Sequence, residues 1–259
     1  MEEQGIAAKP EELIVEPAIQ EMLDAGVFFG RKTSRTHPRM KPYTVSSRNG
    51  MEIINIEKTK EDLDKALEFV AGVVKNGGSL LFVATQAPAV GAVQLAREMG
   101  FPVVDRRWLG GTLTNSKIIL GRLDYYKKLK SDFEKGALEK YTKKERVKIE
   151  KELAKLAETM SGLESFARLP NALVTIDSDL HRTAVREARH LGIPIVAFVN
   201  TDSDPDLVDY PVVGNNKALT SISWFLEKLR GTLSVAQAAA GAAKAAADSE
   251  VEKKNGGQK

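Results

Sequence analysis

Cysteine is absent from the 259 residues, which excludes a disulfide framework, a thiolate metal site and a cysteine nucleophile. Histidine is nearly absent too: His37, His181 and His190 are the whole stock of side chains that titrate near neutrality. His181 and His190 stand nine positions apart rather than four, so they share no helical face as metal ligands would, and no H-E-x-x-H occurs. Surface or capping roles are expected for all three. No apolar run approaches the length of a membrane span. The opening MEEQGIAAKPEELIVEP has no apolar core, so no secretory signal is expected and a cytoplasmic location is. Neither G-x-G-x-x-G nor G-x-x-x-x-G-K-S/T is present, which leaves an ATP or dinucleotide site without its phosphate loop. The residues thus point to no catalytic set, no cofactor, no metal and no small-molecule substrate.

What is present is charge, unevenly placed. The formal net charge is only +3, from 38 basic and 35 acidic residues. Residues 1–24 hold seven of the acids (Glu2, Glu3, Glu11, Glu12, Glu16, Glu21, Asp24) and one base, Lys9, so the remainder carries 37 bases against 28 acids. A body with a surplus of nine positive charges is compatible with a polyanionic partner.

Short β-branched runs alternate with helical patterns at 52–56, 80–84, 102–104, 172–176, 195–199 and 210–213, which predicts a parallel sheet covered on both faces. Two junctions repeat, EMGFPVV and HLGIPIV: Gly100 and Gly192 stop a helix, and Pro102 and Pro194 open a buried strand. A long charged insert, 116–166, carries Ile119, Leu123, Tyr126, Lys130 and Phe133, then Ile149, Leu153, Leu156, Met160 and Leu163, each set stepping by four and three. That spacing is a coiled-coil seam apart from Lys130, and it predicts a protruding antiparallel helical hairpin rather than further sheet. Gly136 falls in its turn, and Thr142 with Glu145 forms a capping box starting the second helix at Lys143. Its lysine-rich faces read either as solvated surface or as an arm for a protein or RNA partner. The expected organisation is therefore an acidic tail at 1–16, an α/β domain at 17–115 and 167–231, the hairpin insert at 116–166, and an alanine-rich helix with a disordered tail at 232–259.

The most informative segment is DRRWLGGTLTN, Asp105 to Asn115, which follows a strand and precedes a helix beginning near Ser116, with Thr114 or Asn115 as its cap. Open α/β sheets place their sites at this end of their strands. Arg106 and Arg107 offer forked donors suited to phosphate, and Trp108 offers a face that stacks on a base or packs into a partner. The other reading has Trp108 and Leu109 anchoring the loop in the core while both arginines sit in water. A second basic segment, GRKTSRTHPRMKPY, carries Arg31, Lys32, Arg35, Arg39 and Lys41 among prolines and small polar residues, as an extended strap suited to phosphate tracking. A third surface comes from Arg182, Arg186 and Arg189 on one helical face, with Glu187 near enough for ordinary surface pairing. Asp202, Asp204, Asp206 and Asp209 imitate a magnesium site, but aspartate beside serine and proline is ordinary turn chemistry, and no base or phosphate loop accompanies them.

Taken in order, MLDAGVFFGR, MKPY, IINIEKT, LLFVAT, DRRWLGGTLTN, LPNALVTID, EARHLGIPIVAFVNTDSDPD and PVVGN closely resemble the bacterial small-subunit ribosomal protein number two family, over about residues 17–231. The resemblance implies a flavodoxin-like α/β sandwich with a protruding antiparallel coiled-coil hairpin. It implies a structural, non-catalytic role in the small subunit, contact with 16S rRNA and neighbouring small-subunit proteins, late joining in assembly and, in some bacteria, a hold on the large ribosomal protein number one. Two departures stand out. The usual GVHFGH block reads GVFFGR, with Phe28 and Arg31 in place of both histidines. The loop that is often Thr-Lys-Arg reads Thr85, Gln86, Ala87, which removes two positive charges. The competing expectation from a different class is an enzyme binding a nucleotide or sugar phosphate at the sheet's carboxyl edge; a third is a pure protein-interaction scaffold using the hairpin.

Overall fold

The computed structural model describes residues 16–137 and 142–256, so the acidic tail expected at 1–16 lies outside the described residues apart from Glu16. The chain runs α1 (Pro17–Asp24), β1 (Phe29–Lys32), β2 (Thr44–Arg48), β3 (Met51–Ile54), α2 (Ile56–Lys75), β4 (Leu80–Val83), α3 (Val90–Glu98), β5 (Val103–Val104), α4 (Ser116–Glu134), α5 (Lys143–Met160), β6 (Ala172–Ile176), α6 (Arg182–His190), β7 (Ile195–Val199), β8 (Tyr210–Val213) and α7 (Leu219–Gly256).

Five of the strands form one parallel sheet in the order β5-β4-β6-β7-β8. Their continuous apolar runs suit burial on both faces, and the pleat sends alternate residues to opposite layers. Leu80 and Phe82 pack with Val70, Leu95, Phe225 and Leu229 beneath α2, α3 and α7. Leu81 and Val83 pack instead with Leu123, Met160 and Val185 beneath α4, α5 and α6. The result is three layers with two cores. The repeated helix-to-strand joint forms as expected: Gly100 and Gly192 have φ of 72° and 67°. Phe101 N–H donates to the Ala96 carbonyl at 2.8 Å, and Ile193 N–H donates to the Ala188 carbonyl at 2.9 Å. This closure is open to glycine because a Cβ is strained at positive φ.

Two expectations are corrected. The first predicted strand, 52–56, does not join the parallel sheet. It ends at Ile54, and β3 lies between β1 and β2 in a separate antiparallel sheet. Asn55 then caps α2, its side chain accepting from Lys58 N–H at 3.3 Å. The basic strap is not extended throughout: after β1 it makes two 3-10 turns, Thr33–Arg35 and Pro38–Tyr43. The near ends of the insert pack on the sheet, with Ile119, Leu123, Tyr126, Met160 and Leu163 buried in the second core, whereas Phe133 is exposed. The cap of α5 does form, with the Glu145 carboxylate accepting from Thr142 N–H at 3.0 Å and Oγ1 at 2.8 Å. At the other end of the chain, α7 buries Leu233 and Ala236 in the first core.

Candidate nucleic-acid interface

The Asp105–Asn115 loop is organised by a residue that the sequence suggests only as a surface partner for arginines. Glu187 projects from α6 and is 8% exposed. One carboxylate oxygen accepts from Trp108 Nε1 at 2.9 Å and Gly111 N–H at 2.8 Å. The other accepts from Leu113 N–H at 3.0 Å, Thr114 N–H at 3.3 Å and Thr114 Oγ1 at 3.3 Å. Burial pushes its pKa up, and these donors outweigh burial, so the group is held below the ordinary carboxylate range. Glu187 therefore does not pair with the surface arginines, which corrects that expectation. Neither Thr114 nor Asn115 caps α4 with its side chain, since Thr114 is turned to Glu187. Trp108 is half-buried against the second core and acts as an anchor, while Arg106 and Arg107 are exposed. Asp105, at the loop's start, pairs with Arg97 of α3 at 3.0 Å.

The strap is tied to the loop after β7. Arg31 Nε donates to Asp202 at 2.9 Å, and its N–H donates to Thr201 Oγ1 at 2.9 Å. Arg39 lies 3.2 Å from Asp204 and 2.8 Å from Asp206. Asp204 also accepts from Asp206 N–H, as a turn aspartate does, and Asp209 accepts from Ile195 N–H at 2.9 Å. Asp202, Asp204 and Asp206 thus hold the strap and their own turn, and Asp209 holds the start of β7. Among the described residues no three His, Asp or Glu converge to hold a metal ion. Lys32, Arg35 and Lys41 are exposed. Arg182 pairs with Asp179 at 2.9 Å, Arg189 donates to the Asp206 carbonyl, and Arg186 is exposed.

Three clefts sort these cations. Arg31, Lys32 and Arg35 line one with Lys217; His37, Arg182 and Arg186 line a second beside Asp202 and Asp204; Arg106 and Arg107 line a third with Arg122 and Lys155. Strap and α6 are brought together, and the loop arginines stand apart from both. Arg122, Lys155 and Lys217 escaped the sequence reading.

The crevice between the loops that follow β4 and β6, where the strand order reverses and such sheets usually hold their ligands, is filled by the protein's own side chains. Lys217 Nζ reaches Asp177 at 2.7 Å and Gln86 at 3.1 Å. His181 is buried there, its Nδ1 2.8 Å from the Asp177 carbonyl and its Nε2 3.1 Å from Thr85 Oγ1. That corrects the surface or capping role expected of it. His37 does cap a 3-10 turn, with Nδ1 accepting from Arg39 N–H, and His190 is exposed.

The sequence profile of the family described as ribosomal protein S2 matches residues 22–236. The chain belongs to the ribosomal protein S2 family. It is 42% identical over 208 residues to the small ribosomal subunit protein uS2 of Bdellovibrio bacteriovorus, a match covering 80% of this chain and 66% of that protein. It is 41% identical to the Thermus thermophilus protein of the same name, over 83% of this chain and 84% of the relative. For Dehalococcoides mccartyi the identity is 40%, over 85% and 90%. Membership makes this a structural ribosomal protein, and the expectation of a phosphate-binding enzyme is set aside. Within the S2 block that reads GVFFGR here, Arg31 ties strap to body and Phe28 packs on Phe29 with ring centroids 4.1 Å apart. In the loop after β4, Gln86 is held by Ile176 and Lys217.

Proposed function

We propose that this chain is a non-catalytic constituent of the small ribosomal subunit in the cytoplasm, where it binds 16S rRNA and neighbouring ribosomal proteins. The observation that carries the reading is the Glu187-pinned loop: a buried carboxylate fixes the backbone around Gly111, so Arg106 and Arg107 are presented to solvent from a rigid base. Relatives named small ribosomal subunit protein uS2 support the setting. Lys32, Arg35, Lys41, Arg106, Arg107 and Arg186 meet phosphates. Arg31, Arg39 and Arg182 share their charge with aspartates and chiefly set the position of the basic surface. Such contacts position a protein on RNA without reading bases. Trp108 anchors the loop instead of stacking on a base. The outer halves of α4 and α5 project as an antiparallel coiled-coil arm for a protein neighbour.

The test is sedimentation of a lysate through a sucrose gradient, following the protein with and without RNase and after a high-salt wash. Comigration with small subunits, lost after RNase and reduced by salt, is expected. A free species at the top of the gradient in every condition would overturn the reading.

A further inference from the structure

The third cleft, of about 720 Å³, has two chemically different walls. The loop and α4 supply Arg106, Arg107, Arg122 and Tyr125, whereas α5 supplies Glu152 and Glu158 with Lys155 between them. Leu109, Leu156 and Met160 make its apolar part. Among the described residues no acidic group lies within ion-pair distance of Arg106, Arg107 or Arg122, so three unpaired guanidinium groups share this one cleft. Tyr125 is 47% exposed, and its hydroxyl donates to Glu152 at 3.1 Å, which ties the ring to the α5 wall.

We propose that this cleft takes one unpaired nucleotide of ribosomal RNA, with its phosphate on the arginine wall and its base on the face of Tyr125. The proposal deepens the small-subunit reading and rests on it. An acidic peptide fits less well, because it would bring carboxylates against Glu152 and Glu158. A nucleotide presents an anion to one wall and base N–H donors to the other, and carboxylates accept from such donors. Guanidinium forks match phosphate oxygens, and a half-exposed aromatic ring is the usual platform for a splayed base. The volume also lies within the range of pockets that enclose small ligands.

Small subunits depleted of this protein by a high-salt wash are titrated, over a series of salt concentrations, with wild type, Arg122→Ala, Tyr125→Ala, Tyr125→Phe and the strap variant Arg35→Ala. Both groove positions are exposed, so these variants fold. Arg122→Ala is expected to lower the slope of log K against log salt by about 0.7. Tyr125→Ala is expected to weaken binding roughly fivefold or more, with Tyr125→Phe close to wild type. Ultraviolet crosslinking is expected to leave a nucleotide adduct on the peptide carrying Tyr125. Unchanged affinity and slope in the groove variants and no adduct, with Arg35→Ala still impaired, would overturn the groove and leave the small-subunit reading standing. Failure of wild type to rebind would overturn both. Weakening with an unchanged salt slope and no adduct would mean a protein occupant and would also overturn the groove.

Discussion

Glu187 and His181 show how much a single buried polar group decides. Glu187→Gln leaves loop donors facing an amide, and an unmet buried donor costs about 1–3 kcal/mol. A loss of that size in urea unfolding, together with faster proteolysis between Asp105 and Asn115, is expected; unchanged stability would refute the pinning. The folded-state pKa of Glu187 is depressed, so its contribution is present above the ordinary carboxylate range and lost as pH falls through the folded value. His181 is also depressed, chiefly because burial disfavours the imidazolium. Its Nδ1–H donates to the Asp177 carbonyl while Nε2 accepts from Thr85, an arrangement only the neutral ring satisfies. Its contribution is therefore complete above the ordinary histidine pKa and declines as pH falls below it. Wild type should lose stability as pH falls below the ordinary histidine pKa, and His181→Gln should flatten that decline; an equal decline in both proteins would remove the role.

At the scale of elements, the strap is fastened to the body by its own charges. Asp204→Ala with Asp206→Ala leaves Arg39 without its partners, so trypsin should cleave at Arg35 and Arg39 faster while circular dichroism stays native; unaltered cleavage would show that His37 N–H on the Thr201 carbonyl suffices. The first turn of α5 depends on Glu145, whose pKa is lowered by the Thr142 hydroxyl and N–H donating to it. Glu145→Ala should speed amide exchange in that turn and leave α4 alone. The start of α5 was legible because capping is local chemistry, carried by residues three apart. The spans 172–176, 195–199 and 210–213 were legible because continuous apolar runs mark strands buried on both faces. The sheet to which 52–56 belongs was not, since a four-residue strand carries no label for its partner.

For the molecule as a whole, α7 closes one face of the sandwich. Phe225 stacks on Phe198 of β7 at 4.8 Å, and both are fully buried. Phe225→Ala should cost about 3–5 kcal/mol in urea unfolding; a loss under about 1 kcal/mol would show that α7 is dispensable to the core. The basic surfaces lie in separate clefts, so their contributions to small-subunit binding should add. Arg35→Ala and Arg106→Ala should each lower the salt slope by about 0.7 to 0.9, and the double variant by the sum. A double variant no worse than either single would mean that one of the two faces away from RNA.

The sequence alone determined the family, the spans of the buried strands, the repeated glycine-proline joint and the basic segments. Each of these rests on residues close together in the chain, where spacing and side-chain type act directly. Tertiary structure decided what the charges do. Arg31 and Asp202, or Trp108 and Glu187, are far apart in sequence, and only the packing of β1 beside the loop after β7, or of α6 beneath the Asp105–Asn115 loop, turns a basic strap into a fastened one and a surface glutamate into a buried clamp. Hydrogen bonds and ion pairs act over a few ångströms, so their partners are set by the fold and not by any pattern along the chain.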